Sequence, residues 1–104
     1  MNAATLLENG YRKYERKING SDRLYQKRIE GIMPDGEPYF LTFYEYDFSK
    51  FSEFTGDTFQ YTGSVQLRNN ESCFDVAFHV HNETLEEVEL FFAKSISFYK
   101  TLGF

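Results

Sequence analysis

Two segments of this chain alternate between apolar and polar residues, which is the period of a β-strand with one buried face. They run from Thr58 to Arg68 and from Cys73 to His81, and only the segment Asn69–Ser72 separates them. The pattern predicts an antiparallel hairpin with one apolar and one polar face. The residues predicted on its apolar face are Phe59, Tyr61, Val65, Leu67, Phe74, Val76, Phe78 and Val80.

The rest of the chain contains two further predicted strands and three connections. Leu24–Gly31 and Tyr39–Asp47 are predicted strands, and the proline- and glycine-containing segment Met33–Pro38 between them predicts a tight turn. We predict that Tyr11–Asp22 is a loop, because it is basic and weakly periodic. Phe48–Asp57 is predicted to be a connecting loop whose three phenylalanines fold over a sheet edge.

Tyr39–Asp47 carries large side chains on both faces, so alternation alone does not determine which face of this strand is buried. We place Leu41 and Phe43 inward, because the tyrosine hydroxyl can form hydrogen bonds with water, whereas leucine and phenylalanine side chains cannot. Tyr44 and Tyr46 then face outward.

Helices are predicted at both ends of the chain. Ala3–Asn9 follows a potential N-cap, Asn2, and stops at Gly10, with Leu6 and Leu7 expected to dock it. Thr84-Leu85-Glu86-Glu87 is a capping-box sequence and predicts a helix over Leu85–Leu102. Its predicted apolar stripe consists of Leu85, Val88, Phe92, Ile96 and Tyr99, broadened by Phe91 and Leu102.

These elements predict an α+β fold in the order α-β-β-β-β-α. The sheet is a four-stranded antiparallel meander, with the N- and C-terminal helices packed on one face and the other face open. A chain of 104 residues, 41% hydrophobic and 26% charged, has the size and composition of one soluble globular domain spanning residues 1–104. Aromatic residues make up 19% of it, with no tryptophan, so several tyrosines must lie near the surface.

Charge and cysteine content limit the functions that this chain can perform. Its single cysteine, Cys73, excludes an intramolecular disulfide, and it has no signal-like or membrane-spanning segment, so we expect a cytoplasmic protein without a membrane partner. Residues 1–28 hold seven Lys/Arg and three acids, whereas the remainder holds four Lys/Arg and thirteen acids. Because an acidic body repels phosphate backbones, we expect no direct nucleic-acid binding.

No catalytic motif is present, and we expect neither an enzyme nor a cofactor. His79 and His81 lie on one strand face about 7 Å apart, close enough to share a metal. A third ligand such as Asp57 or Gln60 would be required, and two half-exposed strand histidines are the more common arrangement. We therefore assign no metal site.

Binding through the open sheet face is the better-supported function. Exposed aromatic residues beside adaptable polar groups are typical of protein interfaces. The loop over residues 48–57, or a homodimer, could instead cover this face. The candidate interaction residues are Phe40, Tyr44, Tyr46, Glu45, Asp47, Glu53, Asp57, Gln60, Arg68 and His79.

Four segments carry a resemblance to a class of known proteins: Leu24–Arg28, Tyr39–Phe40, Tyr46–Phe48 and Thr84–Glu87. In these the chain resembles small proteins encoded by bacterial phages and prophages. The resemblance implies a noncatalytic accessory factor that binds and blocks a host defence or nucleic-acid-handling complex, as anti-CRISPR inhibitors do. Acidic residues would then compete for a basic groove. The alternatives are a small acidic secretion-type chaperone and a metal-dependent activity at His79 and His81.

Overall fold

The computed structural model describes residues 1–29, 39–49, 51, 58–69 and 71–104. The elements, in chain order, are α1 (Ala3–Glu8), β1 (Arg12–Tyr14), β2 (Arg23–Ile29), β3 (Tyr39–Asp47), β4 (Phe59–Arg68), β5 (Cys73–Val80) and α2 (Leu85–Thr101). The strands form one antiparallel sheet in the order β1-β2-β3-β4-β5. The α+β class, the antiparallel meander and the helices at both ends are therefore confirmed.

The fifth strand corrects the prediction that Tyr11–Asp22 is a loop. β1 pairs with β2 in a register that places Lys13 opposite Tyr25. Three residues are too few to display a two-residue period, and β1 owes its conformation to hydrogen bonds with β2. The remaining predicted loop, Phe48–Asp57, and the turn Met33–Pro38 lie largely or wholly outside the described residues.

The helices and the apolar residues of the strands form one core. Leu6 of α1 belongs to the same buried cluster as Phe43 of β3 and Phe92 of α2. α2 packs on β4 and β5, with Phe91 against Phe78 at 4.8 Å between ring centroids. We call this side of the sheet the helix face and the opposite side the open face.

Local signals place both helices. The Asn2 side chain accepts a hydrogen bond from the Thr5 backbone N–H, and the positive φ of Gly10 follows the end of α1. At α2 the capping box is complete: the Thr84 hydroxyl accepts from the Glu87 N–H, while the Glu87 carboxylate accepts from the Thr84 N–H.

Three predicted core positions are exposed instead. Leu7 is 48% exposed because the six-residue α1 presents only one side to the sheet, the side that holds Leu6. Leu102 is 58% exposed because α2 ends at Thr101. Phe59 is 44% exposed, since β5 does not extend alongside it.

At Gly63 two aromatic rings of the core lie close to the backbone of the sheet. It lies on the helix face of β4, where a Cβ atom would be 2.9 Å from Cε2 of Phe92 and 3.1 Å from Cε1 of Phe43. The absence of a side chain therefore allows both aromatic rings to reach the sheet.

Candidate interaction surface

Strand register brings side chains from all five strands into rows across the open face. The central row consists of Tyr14, Leu24, Tyr44, Thr62 and His79, each opposite the next. Leu24 is 6% exposed between its two tyrosine neighbours. This row is an amphipathic strip in which apolar bodies lie beside polar tips.

A second, polar row runs beside the first and consists of Arg12, Gln26, Thr42, Ser64 and Ala77. Cross-strand hydrogen bonds hold both rows in place. The Gln26 amide donates to Thr42 Oγ1 at 3.1 Å, and Thr62 Oγ1 lies 2.9 Å from His79 Nδ1. These bonds fix the positions of side chains that a partner would contact.

One end of the open face carries the most exposed aromatic ring. Phe40 is 48% exposed and lies beyond Leu41, where the pairing of β3 with β4 ends. A groove of about 570 Å³ opens there, lined in part by Phe40, Tyr44, Arg68 and Asp75. Burial, followed by the nearby charge of Asp75, raises the pKa of Tyr44, so its hydroxyl stays neutral.

Charge on the open face is opposite in sign to that of the whole chain. Among the strand residues that the structure describes there, Arg12, Arg28 and Arg68 are exposed, and Asp75 is the exposed acid. The whole chain nevertheless carries a net charge of −5. The open face is therefore locally basic and partly aromatic.

The structure brings six of the ten predicted interaction residues onto the open face: Phe40, Tyr44, Tyr46, Gln60, Arg68 and His79. Glu45 and Asp47 point to the helix face, because they alternate with the tyrosines of β3. Glu53 and Asp57 lie outside the described residues. The expected row of competing acids is therefore not part of the described open face.

Glu45 instead forms a buried polar cluster under α1. Its carboxylate is 2% exposed and accepts hydrogen bonds from Arg23 Nε at 2.7 Å, Tyr25 OH at 3.1 Å and Tyr61 OH at 2.7 Å. Arg23 also reaches Asp47 Oδ2 at 3.3 Å. Three donors satisfy this carboxylate, as a buried charge requires.

The two tyrosines of this cluster are held in their neutral form. Burial and the Glu45 carboxylate raise the pKa of Tyr25 to about 12 and that of Tyr61 further. A cavity of about 1000 Å³ adjoins them, lined in part by α1, Arg23 and Glu45. Because these donors satisfy the buried Glu45 carboxylate, we assign the cluster a structural role.

Histidine and cysteine positions do not converge in the described part of the chain. His79 projects from the open face, and the backbone N–H of His81, beyond the end of β5, donates to Glu83. Within the described ranges no group of three His, Cys, Asp or Glu side chains could hold a metal ion. Neither α1 nor α2 has the length and apolar character needed to cross a bilayer.

Sequence reasoning missed Arg12 and Arg28 as members of this surface. The signal for Arg28 was its alternation in β2 with residues that point to the helix face, whereas the three-residue β1 carried no such signal for Arg12. Comparison of the chain with protein-family models, with curated proteins and with solved structures finds no match.

Proposed function

We propose that this protein is a noncatalytic binding protein whose open face contacts an acidic surface on a partner protein. One observation carries the proposal: both described helices lie on one side of the sheet, while aromatic and arginine side chains are exposed on the other. The biological setting that we propose is a phage or mobile-element accessory factor that blocks a host defence or nucleic-acid-handling complex.

The residue types on this face are suited to protein contact. Tyrosine, phenylalanine and arginine supply large contact area and charged hydrogen bonds, and interfaces are enriched in them. Phe40, Tyr44 and Arg68 line one groove, so a single partner segment would meet all three. Tyr46 extends the aromatic contact along β3.

Charge favours an acidic protein over a nucleic acid as the partner. The exposed arginines would attract carboxylates at short range. The net charge of −5 opposes the long-range approach of any anionic partner, and it opposes a densely charged phosphate backbone more strongly than a locally acidic protein surface. Because Glu45 is buried, we propose that contact is made by arginine and aromatic side chains, and not by acidic residues that compete for a basic groove.

The experiment compares matched surface variants in affinity capture from host extract, followed by binding measurements with the purified captured protein. Phe40→Ala combined with Tyr44→Ala should weaken binding at least about tenfold. Leu90→Ala is the control, because Leu90 is similarly exposed, at 54%, but lies on α2. Arg68→Glu should weaken binding most strongly at low salt.

Two results would refute the proposal. One is binding that survives the Phe40/Tyr44 double variant but is lost in Leu90→Ala. The other is capture that nuclease treatment abolishes, with purified single-stranded nucleic acid binding in place of protein.

A further inference from the structure

The two edges of the sheet differ in length and in chemistry. β1 is three residues long and carries Arg12 and Lys13, which discourage pairing with another strand. β5, at the opposite edge, is eight residues long, Cys73–Val80, and contains no lysine, arginine or proline. In the described part of the chain no strand pairs with its outer side. A long edge strand without lysine, arginine or proline is a template for strand addition.

We propose that a second copy of this chain occupies the β5 edge, with the two β5 strands antiparallel about a two-fold axis at Ala77. Residues opposite each other in an antiparallel pair point to the same side. Val76 and Phe78 both point to the helix face, as β4 pairing shows, and placing them opposite each other puts the axis at Ala77. This register pairs nearly the whole strand with itself.

The proposed register is self-complementary in charge and in size. On the open face it puts Asp75 of each copy opposite His79 of the other, so that a carboxylate meets an imidazole twice. Ala77, the smallest side chain of the strand's open-face set, meets its own copy at the axis. On the helix face the opposed pairs are Val76 with Phe78 and Phe74 with Val80. A carboxylate can accept a hydrogen bond from an imidazole N–H, and polar and aromatic–aliphatic pairs of this kind stabilise cross-strand contacts.

The exposed side of α2 provides a second layer for the same interface. Phe91, Phe98 and Leu102 follow helical spacing along one flank, and Phe91 contacts Phe78 of β5. Lys100 lies on the other flank, over the Tyr39 ring of β3. Phe98 and Leu102 are 59% and 58% exposed beside the β5 edge.

The spacing of the two α2 helices in this dimer agrees with ordinary helix packing. α2 packs on β4 and β5. If the helix axis of α2 lies above the midline between these two strands, it is about 4.8 Å from the proposed two-fold axis. The two helices would then be about 9.6 Å apart, within the range of about 8–10 Å for packed helices. Phe98 and Leu102, exposed in one copy, would contact the partner helix.

The dimer would have one continuous sheet of ten strands, with all helices on one side. It leaves the open face uncovered and doubles its area, so it does not depend on the function proposed above. Variants of Phe40 and Tyr44 should remain dimeric. Loss of the dimer and loss of partner binding can therefore be observed separately.

The first test measures molar mass by light scattering and sedimentation over a range of concentrations. The wild-type protein should approach twice the chain mass of 12.3 kDa. Ala77→Lys puts two lysines opposite each other at the axis and should give a monomer with an unchanged circular dichroism spectrum. Gln60→Lys is the matched control, because Gln60 is exposed on the open face of the interior strand β4, and this variant should stay dimeric.

The second test addresses register. His79→Asp should raise the dimer dissociation constant about tenfold, and adding Asp75→Lys to it should restore opposite charges and recover dimerisation. Ala77→Cys in a Cys73→Ser background should form an intermolecular disulfide, whereas Gln60→Cys in that background should not. A wild-type monomer at every concentration overturns the proposal, as does a dimer that resists Ala77→Lys and leaves Ala77→Cys unlinked.

Discussion

Replacing Glu45 with alanine should be among the most destabilising single changes in this chain. The substitution removes the acceptor from the two buried hydroxyls of Tyr25 and Tyr61, and each unsatisfied group costs about 1–3 kcal/mol. Arg23 also loses its buried partner, but its side chain is 25% exposed and regains water, so its share is smaller. The expected loss is about 3–5 kcal/mol, as for other broken buried charge pairs.

Urea unfolding followed by circular dichroism measures this loss. With a slope of about 1.5 kcal/mol per molar urea, the midpoint should fall by about 2–3 M at an unchanged slope. Glu8→Ala is the control, because this acid is exposed at the end of α1 and outside the proposed dimer contact, and it should change the unfolding free energy by about 0.5 kcal/mol or less. A loss below about 1 kcal/mol for Glu45→Ala would refute the reasoning.

A triple variant separates the cost of the two unsatisfied tyrosine hydroxyls from the loss of the Glu45 carboxylate itself. Glu45→Leu leaves two hydroxyls unsatisfied, whereas adding Tyr25→Phe and Tyr61→Phe removes those hydroxyls as well. We expect the triple variant to be more stable than Glu45→Leu alone, because it leaves neither tyrosine hydroxyl buried without a hydrogen-bond partner.

Two further predictions concern the stability at alkaline pH and the effect of a side chain at Gly63. The pKa of Tyr25 is raised from 10.0 to about 12, so its contribution to stability is complete below pH 10 and is lost as the pH rises from 10 to 12. Burial also raises the pKa values of Tyr11 and Tyr61, so unfolding curves of Tyr25→Phe should show a shallower fall in unfolding free energy over this pH range than the wild type, and an equally steep fall would contradict the prediction. Gly63→Ala should cost about 1–3 kcal/mol because its Cβ meets Phe92 at 2.9 Å; thermal unfolding should show a lower midpoint that Phe92→Leu partly compensates in a double-mutant cycle, whereas a change within about 0.5 kcal/mol would show that the rings move aside freely.

Elements with a local chemical signal were predictable from the sequence. The alternation over β4 and β5 predicted both strands and their faces, and Thr84–Glu87 predicted the start of α2, because the cap is satisfied by residues three apart. β1 had no such signal, since its three residues depend on pairing with a strand about twelve residues away. Pairing across that distance is a tertiary effect that local periodicity does not contain.

The candidate surface was predictable in its aromatic part and not in its charge. Placing Leu41 and Phe43 inward correctly put Tyr44 and Tyr46 on the open face, where both are half-buried. The same parity sends Glu45 inward, yet an isolated acid in a strand usually indicates a solvated face. Its burial depends on donors from β2 and β4, which only the register brings to it.

The buried Glu45 cluster also determines which way β3 faces. With Leu41 and Phe43 on one side and Tyr44 and Tyr46 on the other, hydrophobicity alone distinguishes the two orientations of this strand weakly. A slip of one residue would turn the carboxylate outward and leave Arg23 facing a tyrosine instead of its counterion. Loss of the ion pair would destabilise the shifted register. Glu45 therefore favours the observed register of the middle strands of the sheet.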